Sequence, residues 1–425
     1  MNEHSPPRPW PRPWRTLIAA MLLNGGLGTL YAWSVFLAPY EAALGLTRDQ
    51  TSLVFSTATF CFVAAMLSAP WIQTRLTASR VAVLSGVMAS AGLALAGAAQ
   101  TLAMVIAGYG LLFGAANGFG YALALQVVGR AFSTRRGLAM GAVVAAYALG
   151  AAIATPWLTW SLASLGLRLT LFALAFSVLV SALIGAVLLR GAGRVGLKAA
   201  GRFTWPLRTG ESGRFARLWL GFVLGASAGL LMIGHAAGLV ETAGGTLTLI
   251  ALGPVAVSLG NGAGRIAAGW LADRFPIRWV MTGATTLGTA ALCVSALSPT
   301  ASTLVAGLAI IGTVYGVLAA AYPIAVAEYF GADRVAAVFG VLFTAWGVGG
   351  VLGPWAGAWV YRLMGSYETA LLAAAVAAGL ATLCSIGLPA QGPRHQADTE
   401  RLAQGADSPS GVEREALASA GVRSG

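Results

Sequence analysis

The chain has 425 residues, of which 57% are hydrophobic and 9% charged, with a formal net charge of +12. Soluble domains carry about a quarter charged residues, so the composition excludes an ordinary soluble enzyme or binding module and identifies a polytopic membrane protein. The basic excess does not imply nucleic acid, because where the charges fall matters more than their sum.

Residues 1–16 are a Pro- and Arg-rich tail, and the long apolar run behind them argues against a cleaved signal peptide. A helix needs about 20 apolar residues to cross roughly 30 Å of hydrocarbon. Runs of that length recur near 17–38, 50–72, 80–99, 103–128, 138–160 and 168–189, a set of six over 17–189. The segment from Arg190 to Arg217 carries seven basic residues and one acid, Glu211, and is too polar to enter the bilayer. It reads as a cytoplasmic linker, 190–217. A second set follows near 218–240, 247–270, 279–297, 302–327, 335–360 and 367–388, making a bundle over 218–388. The segment 389–425, rich in Gln, Asp, Glu, Ser and Gly, reads as a disordered cytoplasmic tail. The expected fold is an all-α membrane protein of twelve transmembrane helices in two six-helix bundles.

Arg48, Arg168 and Arg362 fall in loops of one side, Arg265 lies inside a span, and the other basic residues lie on the opposite side or in the tails. The positive-inside rule then puts both termini in the cytoplasm of a cell whose plasma (inner) membrane holds the chain. The two sets also echo each other. Trp71-Ile72-Gln73-Thr74-Arg75 precedes Trp270-Leu271-Ala272-Asp273-Arg274 by 199 residues, and Gly141 to Gly150 precedes Gly340 to Gly349 by the same 199. Two matches at one offset indicate a tandem duplication of six helices.

Arg265 is the one basic side chain within a span. An ionised group there costs roughly 2.5 to 3.5 kcal/mol on insertion scales, so its default reading is a site on an interior path, with an anion as partner. Ser258, Asn261 and Arg265, at i, i+3 and i+7, form one helical stripe. The guanidinium can hold a carboxylate through two parallel charge-assisted bonds. The plainer alternative is an arginine that snorkels to the surface. Asp273 is eight residues on, about 12 Å along a helix, too far to neutralise it directly.

Gly269-Trp270-Leu271-Ala272-Asp273-Arg274 resembles the G-x-L-A-D-R signature of the major facilitator superfamily, and the resemblance extends over nearly the whole chain. It implies the major facilitator fold and a conformational latch at Gly269, Asp273 and Arg274. The matching N-terminal loop keeps Arg75 but has Thr74 where the acid would be. Within that superfamily the chain is similar to the group of oxalate/formate antiporters and monocarboxylate transporters. The similarity rests on Tyr31 to Phe36, Arg135 to Gly141, Asn261 to Arg265 with Gly269, and Tyr322-Pro323. It implies that Arg265 binds the substrate carboxylate. Oxalate carriers have a second cation, a lysine after Thr-Ala, where this chain reads Phe343-Thr344-Ala345-Trp346. One buried cation suits a monoanion better than a dianion. Animal-type monocarboxylate carriers have an acid where this chain has Asn261.

A monoanion site also needs hydrogen-bond donors and apolar walls. Tyr31, Tyr121, Tyr147, Tyr315 and Tyr322 are candidate donors, and Leu27, Phe343 and Trp346 candidate walls; each could equally be ordinary core. None of the 14 acids lies mid-membrane, so His235, the sole histidine inside a span, is the candidate for proton coupling. Exchange without protons, or import of the protonated acid, stays open. Cys61, Cys293 and Cys384 lack metal or disulfide spacing and read as small core residues.

The reading is a secondary transporter of a small monocarboxylate such as lactate or pyruvate, coupled to a proton and working as a monomer. An oxalate/formate-type exchanger and a drug exporter are the alternatives, and a carboxylate receptor is the non-transport one. No cofactor, metal site or enzymatic set of nucleophile, base and acid is expected. Gly260, Gly262 and Gly264 lack the preceding strand of a phosphate loop. Gly349/Gly353/Gly357, Gly114/Gly118 and Gly137/Gly141 are spaced to permit close helix contact.

Overall fold

The computed structural model describes residues 12–132, 136–195, 207–331 and 334–390, and among these every regular element is helical. The helices are α1 (Pro13–Leu44), α2 (Arg48–Arg75), α3 (Ala78–Gly97) and α4 (Leu102–Ala131), then a stretch Leu138–Leu188, then α7 (Ser212–Thr242) and α8 (Leu247–Ala272). They are followed by α9 (Ile277–Leu297), α10 (Ala301–Phe330), α11 (Ala337–Met364) and α12 (Glu368–Ile386). The stretch Leu138–Leu188 is two spans, α5 and α6, because Gly166 breaks it with φ +76°, a conformation that strains any residue with a Cβ. Twelve spans result among the described residues. The outer surface is studded with exposed Phe60, Trp160, Ile153, Phe176 and Ile266, the pattern of a multi-pass protein whose solvent is lipid rather than water.

Most of residues 1–16 and 389–425, and the middle of the linker, lie outside the described residues, as does Arg135; the expected disordered tail falls there. The largest differences from the sequence reading are at the end of the first span and the start of the seventh. The first span runs on to Leu44, where Gly45 at φ +64° ends it. The seventh begins at Ser212, inside the expected linker. Arg214 donates to the Tyr329 carbonyl and Arg217 to the Gly387 carbonyl, so these cations tie the extra turn down at the bundle end.

The duplication is visible in local chemistry. Thr47 caps α2 with a reciprocal Gln50 contact, and Thr246, 199 positions on, caps α8 through Leu249 N–H. Thr101 and Thr300 cap α4 and α10 at the same offset. At the opposite ends of α2 and α8, the Arg75 guanidinium lies 3.7 Å from the centre of the Trp71 ring and that of Arg274 lies 4.0 Å from that of Trp270. Each half thus places a cation over its own tryptophan at the end of the molecule that carries the chain termini.

Small residues set the helix spacing. A Cβ on Gly312 or Gly316 of α10 would overlap the backbone of Val257 or Asn261 of α8, and one on Gly260 or Gly264 would overlap that of Ala309 or Thr313. These glycines therefore do packing work, with backbone against backbone. Gly349 and Gly353 of α11 approach the α7 backbone, and Gly114 and Gly118 of α4 approach that of α2. Gly141, by contrast, has open space around it, so its spacing does not mark a contact in this structure.

At the terminus-bearing end, Glu211 receives both guanidinium nitrogens of Arg334 at 2.8 Å and the Arg208 N–H at 2.8 Å. The bonds from Arg334 hold its carboxyl below the usual carboxylate range. A depressed carboxylate contributes stability that is complete above its unfolded value, about 4.3, and fades as pH falls through the lower folded value. Glu211→Gln should cost about 1 kcal/mol near pH 7. The gap to wild type should close below pH 4, as read by thermal melting in detergent. A gap that is constant with pH would contradict the pairing.

Candidate functional site

The glycine faces of α8 and α10 fix how α8 is rotated. With Gly260 and Gly264 against α10, the stripe of Ser258, Asn261 and Arg265 turns inward, and all three are buried, Arg265 to 8% exposure. Arg265 Nε donates to Asn261 Oδ1 at 2.9 Å, one helical turn back. That bond orients the guanidinium and leaves its terminal nitrogens for other partners. The hydroxyls of Tyr121 of α4, Tyr31 of α1 and Tyr315 of α10 are close enough to interact with it electrostatically. Among the described residues no carboxylate pairs with Arg265. The snorkelling alternative does not hold in this structure, since the charge stays inside.

The tyrosines come from both halves. Tyr31 lies in a tight 3-10 stretch of α1, Gly28–Phe36, where Gly28 closes on the Tyr147 carbonyl of α5. Tyr31 and Tyr315 share a hydroxyl–hydroxyl bond of 3.1 Å across the two halves. Tyr315 also accepts from the indole N–H of Trp346 in α11. Tyr147 stands edge-on to Tyr31 at 5.2 Å and to Tyr121 at 5.4 Å, and donates to Asn117 Oδ1 at 2.7 Å. Phe343 stacks on Trp346 at 5.1 Å, next to a break in the helix at residue 343.

The structure thus gathers Arg265, Asn261, Tyr31, Tyr121, Tyr147, Tyr315, Trp346 and Phe343 into one aromatic, hydroxyl-rich chamber. Asn261 Nδ2 and Ser258 Oγ are buried there with no protein partner. Buried donors are ordinarily satisfied, so they are available to a ligand or water.

Three residues fall elsewhere. Tyr322 stacks on Phe222 of α7 at 4.0 Å, inside the C-terminal bundle. It lies on the same face of α10 as Tyr315 but two helical turns along, about 10 Å, and its buried hydroxyl has no protein partner. Leu27 presses against Gly120 within the N-terminal bundle rather than forming a wall of the chamber. His235 is buried at the far end of the molecule, bonded to Pro354 and Tyr367. Of the latch residues, Gly269 is in open space and Asp273 is exposed with no ion pair among the described residues. Arg274 turns back to the Trp270 carbonyl at 3.0 Å, and Arg75 lies on Trp71.

Two site residues escape a reading based on single positions. Phe62 of α2 packs on Trp346 at 5.1 Å and Tyr121 at 5.5 Å, and Asn117 holds Tyr147. The 199-residue offset carries Phe62 onto Asn261 and Tyr147 onto Trp346, so the duplication could have pointed to Phe62. Nothing in the sequence marks Asn117. A separate crevice of about 170 Å³ between α7, α11 and α12, lined by Ser227, Leu231, Gly353 and Gly357, is apolar and does not include Arg265.

Residues 217–421 match the family model described as Major Facilitator Superfamily. An uncharacterized MFS-type transporter, YhjX, of Escherichia coli (strain K12) is 27% identical over 266 residues, covering 61% of this chain and 66% of that one. Monocarboxylate transporter 11 of Mus musculus is 27% identical over 284 residues, covering 61% and 59%. The matched stretches span less than two thirds of either curated relative. Among solved structures, a bacterial homolog to the human lysosomal transporter Spinster, inward-facing and occupied, aligns with TM-score 0.71 at 15% identity over 90% of this chain and 97% of that one. Nucleoside transporter NupG aligns with TM-score 0.67 at 15% identity over 88% and 98%. The fold is the major facilitator fold, and the match to the superfamily model lies in residues 217–421.

Proposed function

We propose that this chain is a secondary active transporter that carries a small monocarboxylate, of the lactate or pyruvate kind, by alternating access between its two bundles with a coupled proton. The observation that supports this most is the buried Arg265 guanidinium, oriented by Asn261 and surrounded by hydroxyls instead of an acid. Such a cation is free to take a carboxylate through two parallel bonds in a site shielded from water. A single cation matches a single negative charge, and the rings of Phe62, Tyr147, Phe343 and Trp346 limit the length of the apolar part. The name of the Mus musculus relative adds to this reading.

Because the Tyr31–Tyr315 bond joins the halves at the chamber, substrate binding there would report directly on their relative position. We place the chain in the plasma (inner) membrane with both termini cytoplasmic, so the far end, bearing Arg48 and Arg362, faces outward. It acts as a monomer, since one chain supplies every group named.

The test is uptake of radiolabelled lactate, pyruvate and short aliphatic acids into proteoliposomes with and without an inward proton gradient. Uptake stimulated by the gradient is expected. Counterflow that needs internal carboxylate and ignores the gradient would favour an exchanger. Absence of uptake for the whole panel would overturn the monocarboxylate reading.

A further inference from the structure

At the far end of the molecule five helices from both halves meet in a chain of polar contacts that the carboxylate site does not use. Glu41 of α1 grips Arg48 of α2 through both oxygens, at 2.5 and 3.0 Å. Arg48 Nη1 donates to the Tyr367 hydroxyl, at the start of α12, at 2.9 Å. Tyr367 is 3.0 Å from Nδ1 of His235 in α7, and His235 Nε2 is 2.8 Å from the Pro354 carbonyl of α11. Ser52 of α2 lies 3.4 Å from the same Nε2, Ser56 donates to the Val351 carbonyl at 3.0 Å, and Asp49 pairs with Arg362 at 3.3 Å. These contacts hold the N-terminal half against the C-terminal half, so the far end is closed.

The chemistry of the partners gives the chain one direction. A carbonyl only accepts, so His235 Nε2 must carry a hydrogen for Pro354. A guanidinium only donates, so the Tyr367 oxygen must accept from Arg48. The remaining hydroxyl hydrogen then donates to Nδ1, which is therefore bare. Every group is satisfied with His235 neutral. A proton added at Nδ1 would point a second donor at an oxygen already taken by a cation, and would leave the Tyr367 hydrogen with no acceptor.

The surrounding charges offer the imidazolium no relief. From α1, Glu41 is committed to Arg48; from α2, Asp49 pairs with Arg362 of α11 through Oδ2, its Oδ1 having no partner, and His235 bonds neither carboxylate. Glu241 of α7 and Glu368 of α12 are exposed, and Tyr361 of α11 stacks on Tyr367 at 4.4 Å. His235 itself is fully buried. A free imidazole takes a proton near neutrality, so it can do so only when the far end is apart.

We infer that closure of the far end requires His235 in its neutral, Nε2-protonated form, so that the Arg48–Tyr367–His235–Pro354 array releases a proton to the far side each time it closes. Proton occupancy of His235 then selects which end of the molecule is open. Lower pH favours the far-end-open state and higher pH the closed one, by up to about tenfold per pH unit for one proton, levelling off once His235 is fully protonated. This deepens the transport reading by adding regulation to it, and it depends on no property of the Arg265 chamber.

The experiment is a distance measurement between spin labels on the full chain in lipid nanodiscs, without any carboxylate. Labels go at the exposed positions Ala43 and Thr369, one in each half at the far end, with Cys61, Cys293 and Cys384 replaced by Ala. In the otherwise unaltered chain the long-distance population should grow as pH falls from 8 to 5. In His235→Gln, whose amide can donate to Pro354 and accept from Tyr367, the short distance should persist at every pH. Arg48→Gln supplies an independent check. Its amide oxygen can accept the Tyr367 hydrogen, so the array can reverse and tolerate a protonated His235, and the acid response should flatten. A distance that does not change with pH in the parent, or an acid response that survives in both variants, overturns the inference. Failure of carboxylate uptake would leave these results untouched.

Discussion

Arg265→Ala is expected to reduce carboxylate uptake by two orders of magnitude or more while the protein still inserts and elutes as a folded species. Losing one member of a buried, hydrogen-bonded charge pair costs about 3 to 5 kcal/mol, and each 1.4 kcal/mol is about tenfold in binding. The same substitution relieves the free protein of an uncompensated buried cation, so the fold should not suffer in proportion. Arg265→Lys separates charge from geometry. It keeps a cation but loses the Nε bond to Asn261 and the planar fork, so activity should fall roughly tenfold or more rather than vanish. Asn261→Leu leaves the guanidinium in place without its 2.9 Å tether, and the loss of a bond to a charged group, about 1.5 to 3 kcal/mol, should appear mainly as a raised KM. Initial uptake rates at equal amounts of folded protein decide between these cases. Full uptake by Arg265→Ala would remove the carboxylate site from the chamber.

Gly316→Ala is expected to damage the protein far more than its single added methyl suggests. The new Cβ would overlap the Asn261 carbonyl, and the obstacle is backbone on the facing helix rather than a flexible side chain. Overpacking of that kind costs typically 1 to 3 kcal/mol, or more when neither partner can yield. The helices must part, and α8 carries Asn261 and Arg265 with it. Thermal stability in detergent and uptake should therefore fall together. Gly283→Ala in α9 is the control, because nothing lies within 4 Å of the added atom. It should be neutral or gain up to about 1 kcal/mol from helix propensity. Equal behaviour of the two variants would contradict the close contact of α8 and α10.

Much of the architecture was legible from the chain because hydrocarbon thickness is a one-dimensional constraint. Runs long enough to span and polar stretches too costly to insert mark the helices without reference to any neighbour. The misplacements occurred where that constraint is weakest. Arg214 and Arg217 extend α7 beyond its apolar run because helix-end carbonyls receive them. The break between α5 and α6, by contrast, falls at Gly166, inside the gap expected between the two apolar runs.

The site divides along the same line. The charge of Arg265 within a span, its stripe with Ser258 and Asn261, and the 199-residue repeat are properties of the sequence itself, since an unpaired cation in lipid is costly wherever the helix ends up. Which aromatic residues meet that cation is not. Tyr315 and Tyr322 share one face of α10 two turns apart, and it is the neighbours each meets at its own depth that differ: one bonds Tyr31 and Trp346 and the other stacks on Phe222. Likewise the sequence singled out His235 as the candidate for proton coupling without locating it, and the fold joins it to Tyr367 and Pro354 at the far end. Those outcomes were decided by how closely helices approach at glycine contacts and how each is rotated there. That phase is set jointly by two or more helices, so it exists only once the bundle is packed.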